Sequence, residues 1–168
     1  MNNLVLQNSF RFIALVLIQT LVLNHMNFFG YLNPLPYIIW VFLFPIRKSK
    51  SLFLILSFLL GLTIDFFSDS GGINAAATLF IAYIRLPLLK VILRKSDFDY
   101  LLFNLRLISF SKAFIFISSL TFIHHFIVFS LEYFSFNAFT TIFSTAFFTS
   151  IFTIIISVLG ITIFTKNK

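Results

Sequence analysis

The sequence predicts an all-α integral membrane protein with six transmembrane helices and both termini on the cytoplasmic side. Three observations predict it. First, of 168 residues 60% are hydrophobic and only 10% are charged, with a mean hydropathy of +1.04. A soluble domain carries roughly 25% charged residues, so water cannot cover this surface. Second, the apolar residues fall into runs of spanning length, with turn residues between them. Third, Lys and Arg segregate. Loops assigned to one side hold Arg47, Lys48, Lys50, Arg94, Lys95 and Arg106, and loops on the other side hold none. That pattern marks the basic side as cytoplasmic.

The elements follow in order. Residues 1–9 are short and polar, Arg11 follows, and the apolar run continues to Leu23. The layout is that of a signal peptide, but no A-x-A-like cleavage site follows, so an uncleaved first span is expected over 10–26. Asn24, Asn27, Gly30 and Asn33 mark a turn. The second span, expected over 33–46, is short and bounded by Pro34, Pro36 and Pro45. It is read as a short span or an interfacial segment. Spanning is preferred because it puts Arg11 and the RKSK run at 47–50 on the same side.

The third span is expected over 51–67. Ser57, Gly61 and Asp65 recur every fourth residue and share one helix face, a small-xxx-small stripe that lets another helix approach closely. SDSGG then turns the chain, with Asp69 or Ser70 as the expected N-cap of the fourth span over 73–93. That span opens with small residues, among them Asn74 and Ala75, and carries Arg85 close to Pro87. The fifth span is expected over 107–131 and the sixth over 138–165. The sixth bears Thr141, Thr145, Thr149, Thr153 and Ser157 at i+4 spacing, a ridge suited to internal packing or to docking a partner. The chain forms one polytopic domain.

Chemistry is sparse. There is no Cys, which excludes disulfides and thiolate chemistry. The 27 Phe residues are spread along every run and read as packing and lipid-facing bulk. His25, His124, His125, Glu132, Asp65 and Asp69 are the candidate metal ligands, yet no H-x-x-x-H or E-x-x-H spacing occurs, and no cofactor is implied. No nucleophile–base pair or phosphate loop is present, so no catalytic residue is assigned. Asp65 and Arg85 are ionisable groups in or near hydrocarbon, where charge is costly. They read as an ion pair or separate interfacial anchors, as a contact for a partner's helix, or as a relay.

The run PYIIWVFLFP, a short basic loop, and then LLGLTIDFFSDSGGINAAATLFIAYIR resemble the MreD family of rod shape-determining proteins, in its Bacteroidetes-type form. The distinguishing residues are Gly61, Leu62, Asp65, Ser68, Gly71, Gly72, Asn74, Ala75, Ala76 and Arg85. Asn74 stands where His is expected in relatives. The resemblance implies a non-enzymatic, multi-pass protein of the bacterial inner membrane that binds MreC. Through MreC it would act with MreB, RodA and a class B penicillin-binding transpeptidase in lateral peptidoglycan synthesis. It also implies a fold similar to the substrate-binding component of energy-coupling-factor transporters. A solute-binding membrane subunit of a transporter is the alternative. The candidate helix-packing or partner-contact residues are Ser57, Gly61, Asp65, Asn74, Ala75, Arg85, Thr145, Thr149 and Thr153.

Overall fold

The computed structural model describes residues 2–26, 32–46, 50–94 and 108–164. Within these, five helices are long and apolar enough to cross a membrane. They are α1 (Asn2–Leu21), α3 (Ser51–Ser68), α4 (Ile73–Leu93), α5 (Phe110–Tyr133) and α6 (Phe139–Phe164). The sixth helical piece, α2 (Ile39–Leu43), is short and follows a 3-10 turn over Pro36–Ile38. Residues 47–49, and all of the expected 94–106 loop after Arg94, lie outside the described residues. Mean hydropathy over the long helices runs from 1.5 to 2.2, and large apolar side chains such as Phe66, Tyr83, Phe110 and Leu159 remain exposed. A chain of this kind is a multi-pass membrane protein, because only lipid satisfies so much exposed apolar surface.

The spans over 51–67 and 73–93 match α3 and α4 closely. The first span does not: α1 begins at Asn2, so Arg11 lies inside it, half-buried. The cause is local. Leu4, Val5 and Leu6 are apolar and nothing in NNLVLQNSF breaks a helix, so the polar start joins the run.

The larger departure is the segment over 33–46. It is not a helix of spanning length; helical structure covers only Pro36–Leu43. Prolines explain the limits. Pro36 starts the helical turn where a missing N–H does no harm, and Phe44, held extended at ψ 135° before Pro45, ends it. This segment is also the most deeply buried part of the molecule. Each residue from Tyr37 to Phe42 is at most 2% exposed, among them Tyr37, Trp40 and Phe42. The long helices pack in sequence order around it, α3 on α4, α4 on α5 and α5 on α6, while α1 lies against α3 and against the segment.

The segment has a direction. Near its start, the Pro34 carbonyl accepts from Gln19 close to the end of α1. Further on, Trp40 Nε1 donates to the carbonyl of Asn8, about 16 Å back along α1. Tyr37 bonds Asn74 at the start of α4, and Phe44 meets Arg85 twelve residues past Ile73 in the same helix. The segment therefore runs antiparallel to α1 and parallel to α4. We call the end where α3 turns into α4 the turn end, and the opposite one, bearing Lys50 and Arg94, the basic end.

Candidate functional site

Two polar assemblies hold the segment and the helices around it. The first is built on Asp65, in the last turns of α3. Its Oδ1 accepts from Ser70 Oγ at 2.5 Å, Asn74 N at 2.9 Å and Asn74 Nδ2 at 3.1 Å, and its Oδ2 accepts from Ala75 N at 2.7 Å. An α-helix leaves its first backbone N–H groups without internal partners, and a carboxylate there satisfies them and meets the positive end of the helix dipole. Asp65 therefore caps α4 from the preceding helix. The expected cap at Asp69 or Ser70 is replaced: Asp69 sits in the left-handed region at φ 52°, closing α3, and Ser70 turns its hydroxyl to Asp65. Gly71 and Gly72, at φ 64° and 94°, complete the turn, and Gly72, at the N-cap position of α4, has no side chain with which to cap it.

The cap requires α3 and α4 to touch at backbone distance. A Cβ on Gly61 would lie 2.5 Å from the carbonyl oxygen of Asn74 and 2.6 Å from Cα of Ala75. Ser57, Gly61 and Asp65 are all buried, and Gly61 and Asp65 lie directly against α4. Ser57 Oγ bonds its own Phe53 carbonyl and presents a small surface.

The second assembly supports the broken backbone of the central segment. In lipid, irregular backbone survives only where protein satisfies its polar groups. Pro34 O is bonded by Gln19 Nε2 at 3.2 Å, and Leu35 N donates to Thr153 Oγ1 at 3.1 Å. Beyond α2, the carbonyls of Phe42 and Phe44 accept from Arg85 Nη2 at 3.0 and 2.6 Å. Arg85 also lies 5.1 Å over the Phe53 ring. Asp65 and Arg85 thus do not pair with each other: each has its own backbone partners, and along α4 those lie roughly 16 Å apart.

Tyr37 sits between the assemblies. Its hydroxyl donates to Asn74 Oδ1 at 2.9 Å and accepts from Thr78 Oγ1 at 3.3 Å. Its contact with His124 Nε2 at 2.9 Å must then be donated by His124, which fixes the Nε2–H tautomer. On His125 the choice is opposite: Nδ1–H donates to the Thr121 carbonyl, so Nε2 accepts from Thr153 Oγ1 at 3.0 Å. Both histidines are fully buried inside the protein. Their side chains face the central segment and α6. Among the described residues, no three of His, Asp and Glu converge as a metal site.

The Thr row of α6 divides. Thr149, Thr153 and Ser157 are buried, whereas Thr145 is partly exposed. Thr145 lines a cavity of about 790 Å³ at the turn end, between the ends of α1, α3 and α5 and the start of α4. Its polar walls include Asn24, His25, Asp69, Asn74 and Glu132, and its apolar walls include Leu35, Ile64 and Phe129. Asn24 Nδ2 donates to Ser68 Oγ across its edge and ties α1 to α3. Among the described residues, no Lys or Arg lines it.

The candidates Gly61, Asp65, Asn74 and Ala75 thus meet in one contact, Ser57 is buried further along the same face of α3, and Thr153 and Arg85 meet the central segment at its two ends. Gln19, Tyr37 and the histidines escaped the sequence reading as structural partners. The available signal was the set of prolines at 34, 36 and 45, which announces backbone groups in need of side chains. Comparison with protein-family models, with curated proteins and with solved structures finds no match to this chain.

Proposed function

We propose that the chain is a non-enzymatic membrane scaffold of the MreD type, which binds the membrane helix of an MreC-like partner and helps position lateral peptidoglycan synthesis. MreB, RodA and a class B penicillin-binding transpeptidase are its indirect partners on this reading, and the bacterial inner membrane is its location. The observation that carries the proposal is the engagement of the distinguishing motif. Gly61, Asp65, Asn74 and Ala75 brace α3 against α4, with both oxygens of the acid bonded, and the apolar exterior stays available to other membrane helices. A brace of this kind supports a rigid docking surface.

The same reading takes the central segment as a sixth, broken crossing, with the basic end cytoplasmic. The run of the segment from the end of α1 towards Arg85 supports it, as does the placing of Asp69 and Glu132 at the turn end and Lys50 and Arg94 at the other. Co-purification tests the partner. A tagged chain recovers the MreC-like protein from host membranes, and deletion of the gene rounds the cells. Unchanged shape together with no recovery of the partner rejects the scaffold.

The cavity at the turn end favours a second reading, a solute-binding membrane subunit. Its size suits a small molecule, and its walls mix apolar side chains with amides, hydroxyls and two acids. Calorimetry of the purified chain against a vitamin panel separates the readings, since a scaffold gives no heat with any member.

A further inference from the structure

Arg85 is 3% exposed, yet its hydrogen-bonding capacity is not filled. One nitrogen, Nη2, makes both bonds to the carbonyls of Phe42 and Phe44, while Nε is buried with no partner. None of these partners is a carboxylate, so among the described residues the charge is solvated by carbonyl dipoles and the Phe53 ring. A guanidinium left in that state inside a membrane protein is costly, and an orphaned N–H adds to the cost.

Arg85 also lines a small cleft of about 40 Å³ between α3 and α4. The opposite wall carries a second cation, Lys50, which is exposed and stands at the N-terminus of α3, the end where the helix dipole favours an anion. Among the described residues, no Asp or Glu lines the cleft. Its remaining walls are apolar, with Ile46, Phe53, Leu54 and Leu86, and its rim includes Tyr83, which is 67% exposed on the outer surface of α4. The volume admits a few water-sized groups, the oxygens of one phosphate. The cleft therefore combines two cations, an unfilled buried donor and an apolar, outward-facing rim.

We propose that this cleft seats the phosphate of an anionic phospholipid from the leaflet at the basic end, with Arg85 Nε–H and the Lys50 ammonium as its donors. The rim decides the occupant. A free phosphate would have to leave water for an apolar surface, whereas a phospholipid brings its acyl chains to that surface and its charge to the cations. Filling the site completes the coordination of Arg85, and so steadies the carbonyls of Phe42 and Phe44 where the central segment ends. The proposal stands independently of the scaffold reading.

Native mass spectrometry of the full chain tests it, with phosphatidylglycerol and phosphatidylcholine of matched acyl chains offered in low detergent. The wild type retains phosphatidylglycerol on the order of fivefold better. Lys50→Gln, which leaves the Arg85 tie untouched, removes most of that preference, while Lys90→Gln, outside the cleft, keeps it. Equal retention of the two lipids by the wild type overturns the proposal, and so does an undiminished preference in Lys50→Gln. Inorganic phosphate added at constant ionic strength leaves the lipid bound; if it strips the lipid, the site belongs to free phosphate and the lipid assignment fails.

Discussion

Replacing Gly61 by Ala adds one methyl group at the closest approach of two helices. The new Cβ would stand 2.5 Å from Asn74 O, 2.6 Å from Ala75 Cα and 2.7 Å from Ala75 N. Ordinary contact begins at 3.4 Å, so the nearest pair falls short by about 0.9 Å. All three neighbours are backbone atoms of the capped turn of α4, and backbone there cannot swing aside as a side-chain tip does. The helices must part, and the cap suffers with them. Asp65 Oδ2 to Ala75 N is 2.7 Å, and a displacement of that size carries it past hydrogen-bonding distance. Overpacking costs about 1–3 kcal/mol. Weakening one charge-assisted bond adds about 1–2 kcal/mol, and the gain in helix propensity from Gly to Ala returns about 0.5–1 kcal/mol. The expected net loss is about 1–4.5 kcal/mol. Gly160→Ala is the matched control, because its Cβ meets only the Ile39 Cδ1 tip, at 2.9 Å, and that tip can rotate. The control should lie within about 1 kcal/mol of wild type. Unfolding in mixed micelles with increasing dodecyl sulfate reports both, through the fluorescence of Trp40, the single tryptophan, which is buried. If Gly61→Ala unfolds with the wild type, or costs less than Gly160→Ala, the close-contact account of α3 and α4 is wrong.

Asp65→Leu leaves the N–H groups of Asn74 and Ala75 without their acceptor, and should cost about 3 kcal/mol in the same assay and reduce, without abolishing, partner recovery; Asp65→Asn, which keeps one acceptor, should cost less. Tyr37→Phe removes the hydroxyl shared by Asn74, Thr78 and His124, for an expected loss of about 1–3 kcal/mol, and a double-mutant cycle with His124→Ala should be strongly non-additive. The chain has no Cys, so single-Cys labelling is clean. Cysteines at Asp69 and Glu132 should react with an impermeant maleimide from one side of the membrane, and cysteines at Lys50 and Arg94 from the other. Labelling of Asn24→Cys and Lys50→Cys from one side would remove the broken crossing. Arg85→Lys should destabilise, though less than Arg85→Gln, because one ammonium can donate to both carbonyls as Nη2 does but has no flat face to lay over Phe53.

The amino-acid sequence by itself determined the class of the molecule and its strongest helices. Hydropathy and length are local properties, so α3 and α4 are legible within a residue or so of their ends, and the spacing of Ser57, Gly61 and Asp65 marks a close-packing face without any knowledge of the partner. What α3 packs on was legible too, since a short glycine turn leaves little choice but the next helix. Only the tertiary structure decided the rest. The apolar run between Pro34 and Pro45 reads as a short span. Its role as a core piece depends on Gln19, Arg85 and Thr153, residues 15 to 118 positions away from their bonding partners. Likewise, Asp65 and Arg85 look like natural partners in sequence because both are charged and costly in lipid. In the folded chain, unpaired backbone claims each of them first: a helix start for the acid, the loose carbonyls of a broken helix for the base. Periodicity records which way a side chain points, and it carries no record of which distant backbone groups will need it.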